Sequence, residues 1–491
     1  MKKFAAGLLV FAAGLCLDAQ EAPIALPESS WPERRLVTEI QALQDLRGGV
    51  YVPYIAEDRF QLLRYGPGEA LSPYAPAGFN GASLGARKLK AIKEGPERYA
   101  GFIGRQKGGE SICLFGFGFW DDLSWHPLPE TEAPAITDYA LVPSGNGGVT
   151  VYTLAEGRLR SFSTGTRSGA PWQSGAISRP GEQVEAFEVI RERDQEISYG
   201  WYRVARKDYW EIILFSLNDA GNLGAERTGS RACIPQLAYG VSSEGKAVFV
   251  ITAGSAVSVY HAEGAGFVRD LYFDAPFKAK GYRPALLTGF SAGLLIGEAE
   301  GTEVLYGVSH ERSGAPALRE LFARPQADIL ELFFVDHKWI SLIYRSNETV
   351  GAALIDPSGG VIADDPLPVP VESALLFRPS PEGSRLCALS EADSQKSCVL
   401  SVFEFAGETW RSAGTVQLPR FIPEEVDFLT GIRKDDLLLM ASPEALMLLD
   451  IESSEAQTLE AQNYDRTGAL NGVVYLAVSS EDGIDLFRIE E

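Results

Sequence analysis

No stretch of this chain keeps apolar residues at three-to-four spacing for a useful helical length; short apolar runs alternate with turn-forming residues throughout. The best-formed example is Ala374–Pro419. Its runs Ala374–Phe377, Arg385–Leu389, Cys398–Phe405 and Thr415–Leu418 are separated by Ser380-Pro381-Glu382-Gly383, Glu391–Lys396 and Ala406-Gly407-Glu408. Runs of this length joined by close turns form an antiparallel meander. One segment scores as a helix, Glu320–Phe334, but Pro325 in its middle argues against it.

The same unit recurs in Tyr139–Phe162, Leu237–Phe273, Phe333–Val361, Asp427–Ile451 and Arg466–Ile489. Its period of about 40–50 residues is that of propeller blades. The strands are apolar on both alternations: in Cys398–Phe405, Leu400 and Val402 face one way while Val399, Phe403 and Phe405 face the other. That suits sheets covered on both faces, whereas a sandwich shows cleaner alternation. The reading is all-β, a β-propeller of four-stranded antiparallel blades. A literal count of units gives about nine or ten against a familiar range of about four to eight, so roughly eight blades are expected, within a range of seven to ten. Glu69–Pro96, rich in small residues, reads as an insertion or half-blade. The last unit stops after a third strand, and Arg35–Leu43 is expected to supply the missing N-terminal strand that closes the ring.

At Ser380-Pro381-Glu382-Gly383-Ser384-Arg385-Leu386 the chain resembles the TolB-type, WD40-like propeller repeat. Val241–Val248 is a weaker copy without the proline, and Asn471-Gly472-Val473-Val474 fills the slot with a tighter turn. The resemblance covers two blades and implies a fold; the motif carries no chemistry. Its glycine supplies the positive φ that the hairpin needs.

Met1-Lys2-Lys3 followed by apolar Phe4–Leu17 reads as a secretory signal peptide. Residues 1–19 are the expected signal, 20–34 a linker and 35–491 the propeller domain. The other reading is a lipoprotein signal acylated at Cys16, although Leu15 occupies the place where a lipobox wants a small residue. No later segment has the length of a membrane span. The expected location is therefore periplasmic or extracellular, with an outer-membrane lipoprotein as the alternative. Export permits disulfides. If the turn centres on Ala392-Asp393, Cys387 and Cys398 lie opposite each other on paired strands. A staple and two small apolar core residues are both open readings. Cys113 and Cys233 are too distant in sequence for a pairing to be inferred.

A net charge of −22 opposes nucleic-acid binding and favours a soluble monomer. The longest basic cluster, Ala86-Arg87-Lys88-Leu89-Lys90 with Lys93, reads as a solvated strand edge. Gly289-Phe290-Ser291-Ala292-Gly293 matches a nucleophile elbow, but the strand-like Leu294–Gly297 follows where a helix is required. The histidines 126, 261, 310 and 337 and the cysteines show no metal-ligand spacing, so no metal or cofactor is expected. Adjacent acids such as Asp121-Asp122, Asp364-Asp365, Glu424-Glu425, Asp435-Asp436 and Glu481-Asp482 point to opposite faces of a strand and make poor catalytic pairs. The glycine-rich Ser144–Gly148 lacks the lysine of a phosphate loop. Trp201, Tyr202, Tyr209 and Trp210 are the candidate contact aromatics, against a reading as blade-to-blade packing. No catalytic residue is assigned. The expected function is a non-catalytic scaffold or ligand-recognition module with an envelope or extracellular protein partner; the alternative is a glycosidase-like hydrolase using channel-mouth carboxylates.

Overall fold

The computed structural model describes residues 27–490 except 76–84, 94–97, 107–108, 118–122, 128–134, 144–147, 164–172, 192–196, 219–222, 231–232, 242–246, 275–277, 284–292, 300, 311–315, 336–338, 347–348, 357–359, 371–372, 379–384, 393–396, 407–408, 420–426, 434–436, 442–444, 451–454, 468–469 and 471. The described residues form ten antiparallel sheets and no helix. Nine sheets are built from strands consecutive in the chain. They begin at Val37, Arg87, Ile136, Val184, Gln236, Lys278, Ala327, Ala374 and Asp427, and are called blades 1 to 9 in that order. Blade 10 takes Asn463–Arg466, Val473–Ser479 and Ile484–Glu490 from the end of the chain and Pro27–Trp31 from its beginning. The count is ten, the upper limit of the expected range. The described residues of Glu69–Pro96, read as an insertion or half-blade, carry the end of blade 1 and Arg87–Ile92, the first strand of blade 2.

The ring is closed by an N-terminal strand, but not by Arg35–Leu43. Pro27–Trp31, inside the segment read as a linker, pairs with Ile484–Glu490, while Val37–Ile40 is the first strand of blade 1. The sequence Pro-Glu-Ser-Ser-Trp hides this role because an outermost strand buries little, and its opening proline gives up no needed ladder bond. Tyr65 Oη donates to Glu28 Oε1 at 2.6 Å, and Leu71 N donates to Ser29 Oγ at 2.7 Å, fastening the strand to blade 1. Gly483 has φ +150°, and a Cβ there would sit 2.2 Å from the Trp31 carbonyl oxygen. Only glycine lets the closing strand approach.

The core lies between the blades. At the seam of blades 1 and 2, Phe60 stacks on Phe102 with centroids 4.2 Å apart. Cys387, Leu389, Leu400 and Val402 of blade 8 meet Met447 and Leu449 of blade 9, and Leu446 and Leu448 meet Val474 and Leu476 of blade 10. Val37, Val52 and Tyr54 of blade 1 join Ala477 and Leu486 of blade 10, so the packing runs through the closure. Middle strands are accordingly buried on both faces; Val50–Ala56 is buried throughout.

Successive blades are also tied by backbone. The two-residue hairpins at Glu57-Asp58 and Glu156-Gly157 have positive φ at both positions, the geometry that matches strand twist. Asp58 O accepts from Ala86 N at 2.9 Å and Gly157 O from Val184 N at 2.8 Å, so each hairpin holds the entry of the next blade.

The register corrects the proposed staple. The hairpin centres beyond Ala392-Asp393, pairing Ala392 with Ser397; Cys387 faces Val402 and Cys398 faces Glu391. A four-residue offset corresponds to ~13 Å along a strand, beyond the reach of a disulfide. Both side chains pack instead in the blade 8–9 seam.

Candidate functional site on the inner strands

First strands line the inner wall. Those of blades 10, 1, 2, 3 and 4 run side by side in turn, as do those of blades 5 and 6, and a contact can skip a blade: Asp465 of blade 10 accepts from Ala42 N of blade 1 at 2.7 Å and from Lys93 Nζ of blade 2 at 2.5 Å. A single carboxylate can serve three blades only where their first strands converge.

Local sequence aims these side chains. The first strands of blades 1 to 4 each carry a register shift, after Val37, Arg87, Ile136 and Val184. Such a bulge re-aims the side chain that follows. Blades 1 and 3 build it alike from Val37-Thr38-Glu39 and Ile136-Thr137-Asp138: Thr38 Oγ1 donates to Ile55 O at 3.3 Å and Thr137 Oγ1 to Leu154 O at 3.0 Å. Glu39 then accepts from the backbone N–H groups of Lys88 (2.7 Å) and Leu89 (2.5 Å) in the blade 2 bulge. Lys88 holds a left-handed φ of +55°, uncommon for a residue with a side chain. Lys90 Nζ donates to Asp138 Oδ1 at 3.0 Å and lies 5.1 Å from the centre of the Tyr139 ring. The basic run 86–93 is therefore not a solvated edge; it is an inner strand whose lysines are paired with acids from both sides.

The environments separate these acids. Burial alone would raise Asp138, but the hydrogen bond and charge of Lys90, the Tyr139 N–H and the charge of Lys88 hold it below the ordinary aspartate value. Burial dominates at Asp465 and leaves it raised despite Lys93. Two other junctions use a carboxylate clamp. Glu33 accepts from Tyr54 Oη at 2.7 Å and pairs with Arg35. Glu182, only 2% exposed, accepts from Tyr202 Oη at 3.1 Å and pairs with Arg206 and Arg227. Burial opposes ionisation of both acids, but their hydrogen bonds and arginines outweigh it and lower them.

Between blades 4 and 5 the wall changes character. Glu188, on the first strand of blade 4, lies opposite Trp201 and accepts from its Nε1 at 3.2 Å. Tyr239, on the first strand of blade 5, donates to the other Glu188 oxygen at 3.0 Å and is 44% exposed.

Of the four candidate aromatics, only Trp201 reaches this place. Tyr202 is its strand neighbour and so points to the other face, where it is buried against Glu182. Tyr209 and Trp210 are half-buried in the hairpin closed by Arg206 N donating to Tyr209 O. The four do not form one surface. His261 Nδ1 lies 2.8 Å from both Asp270 oxygens on the outer side of blade 5. Asp364 turns to Tyr344 and Arg324, so it does not share a face with Asp365. Among the described residues no group of His, Cys, Asp and Glu is arranged to hold a metal. Residues 289–292 of the elbow-like motif, the turns 380–383 and 242–245, Cys16, His337 and the acid pairs at 121, 424 and 435 lie outside the described residues; Gly293 opens a strand. Sequence reasoning missed Glu39, Asp138, Asp465, Glu188 and Tyr239. The repeated apolar-Thr-acid triplet was the one local signal for two of them.

No protein-family profile matches the chain, and no curated protein matches it significantly. Among solved structures, it is similar to the dipeptidyl peptidase 4 of Porphyromonas gingivalis at 11% identity and a TM-score of 0.43, covering 86% of this chain and 65% of that one. It is similar to the WD40 domain of SCAP from fission yeast at 12% identity and a TM-score of 0.35, covering 74% and 89%. A prolyl endopeptidase structure matches at 13% identity and a TM-score of 0.35, and the chain spans 54% of its length. The propeller is read from the chain's own ten antiparallel sheets and the pairing that joins the two ends of the chain in the tenth, and a fold by itself assigns no activity.

Proposed function

We propose that this chain is an exported, non-catalytic propeller that recognises a protein partner in the cell envelope. Blade 5 carries the observation behind this reading. Of the eight large apolar side chains that stand exposed among the described residues, four belong to it or its entry: Ile234, Tyr239, Val268 and Tyr272. They stand at the entry and on the first and fourth strands, the inner and outer edges of one sheet, and exposed apolar and aromatic side chains are what a partner's contact surface uses. Export rests on residues 1–19, with release after the signal preferred over a lipid tether at Cys16. Kinship with TolB-type repeats, read from the turn at 380–383, belongs to the same proposal.

The hydrolase reading keeps one supporting observation, the raised carboxyl of Asp465 on an inner strand. Crosslinking in intact cells followed by recovery of the tagged chain separates the two. A scaffold yields a stoichiometric partner that Val268→Ser/Tyr272→Ser depletes. Recovery of no partner by the wild-type chain, with turnover of a glycoside abolished by Asp465→Asn, would sink it in favour of the hydrolase.

A further inference from the structure

The acids on the inner strands have different kinds of partner. Asp138 and Asp465 are paired with lysines, Glu185 with Arg203, and Glu39 with two backbone N–H groups. Glu188 has no ion-pair partner among the described residues; its hydrogen bonds there come from Trp201 Nε1 and Tyr239 Oη. A carboxylate has about four lone-pair positions, so two bonds leave Glu188 capacity for a further donor. Its two aromatic partners come from adjacent blades, and the more exposed one, Tyr239, stands on an inner strand.

We propose that Glu188, Trp201 and Tyr239 form a binding site for a cationic side chain, an arginine presented by the protein partner. The proposal rests on the scaffold reading above and specifies where such a partner is held. The chemistry follows from the parts. An ionised carboxylate accepts two parallel N–H bonds from a guanidinium, and a guanidinium also stacks on aromatic faces, which a lysine ammonium does less well. Trp201 and Tyr239 fix the carboxylate through their own donors, so it is oriented before the ligand arrives and little side-chain freedom is lost on binding. The half-buried position of Glu188 strengthens the attraction relative to bulk water, and the chain's net charge of −22 draws cations toward it.

That net charge also sets the control, because a basic peptide could adhere anywhere. The probe is acetyl-Gly-Arg-Gly-amide, titrated calorimetrically into the full mature chain at physiological ionic strength, with its citrulline counterpart in a second arm. The Arg peptide should saturate a single site, while the citrulline peptide gives no saturable heat. Glu188→Gln and Tyr239→Ser should each weaken binding at least tenfold. Tyr239→Phe keeps the ring but removes the hydroxyl donor that orients the carboxylate, so it should weaken binding less than Tyr239→Ser, and a wild-type urea midpoint for both variants guards against misfolding. Glu263→Gln removes an exposed carboxylate elsewhere on blade 5 and should change nothing. Equal losses in Glu188→Gln and Glu263→Gln, or no saturable binding of the Arg peptide, would overturn the site. If a partner is nevertheless recovered by crosslinking, the scaffold reading stands and only this site falls.

Discussion

The inner wall has two sectors built from similar strands and put to different use. In blades 10, 1, 2 and 3 the acids are tied to lysines and backbone N–H groups of neighbouring blades. In blades 4 and 5 one acid, Glu188, is framed by two aromatic donors and lacks a described cation, while its strand-mate Glu185 pairs with Arg203. The difference teaches how to read buried charge in a ring. Where a carboxylate closes contacts between blades, its removal should be felt as lost stability. Where it keeps spare acceptor capacity beside exposed aromatic surface, its removal should be felt as lost binding.

Lys93→Met should produce the largest effect. It strips the cation from Asp465, whose carboxylate also holds Ala42 N, at the junction of three blades. Both side chains are partly buried, so the loss should lie at the lower end of the about 3–5 kcal/mol that breaking a buried pair costs, and urea unfolding should show the midpoint fall accordingly. Gly483→Ala should come next, at about 2–3 kcal/mol, because its Cβ would collide with the Trp31 carbonyl and its φ disfavours any side chain. A wild-type midpoint for either variant would break the account of the paired sector.

Glu188→Gln should change stability by less than about 1 kcal/mol, since the amide oxygen can still accept from one aromatic donor. If it unfolds as readily as Lys93→Met, the two sectors do not differ. The smallest change expected is a gain: replacing Glu57-Asp58 by Asn-Gly suits the positive φ of both hairpin positions, and should add about 0.5–1 kcal/mol.

Acid sharpens the comparison within the paired sector. Asp138 is lowered in the folded chain, so its contribution is present above the unfolded aspartate value and is lost as pH falls through its folded value. Asp465 is raised, so its contribution has the opposite sign: it is present below the unfolded value and lost as pH rises through the folded one. Urea midpoints followed from neutral to acid pH should therefore fall less steeply in Asp138→Asn than in wild type, and more steeply in Asp465→Asn. Parallel curves for all three would show that neither carboxylate is placed as described.

The architecture was legible because its physics is local. Runs such as Val50–Ala56 and Thr349–Ile355, apolar on both faces and bounded by turns, specify strands sandwiched between neighbours. The blade number was harder to read because first strands such as Val37–Ile40 and Asn463–Arg466 are short and mix polar with apolar residues. The closing strand was illegible for a related reason: half-exposed and polar, it looks like a linker until its partner at the far end of the chain is known. The site was the least legible part. Residues 42, 93 and 465 meet only because the ring brings its ends together, and no spacing within one blade encodes that meeting. Alternation along a strand did contain the answer for Trp201 and Tyr202, which cannot share a face.

Closure by Pro27–Trp31 is the claim on which the ring and its inner wall depend. Ser30 stands opposite Asp485 in the register of that pairing, so Ser30→Cys/Asp485→Cys places two thiols on facing positions of neighbouring strands, within reach of a disulfide. Peptide mapping of the oxidised, folded chain should recover the segment around residue 30 joined to the segment around residue 485. Recovery of both segments as separate peptides, from a chain that is otherwise folded, would contradict the closure and with it the ten-bladed ring.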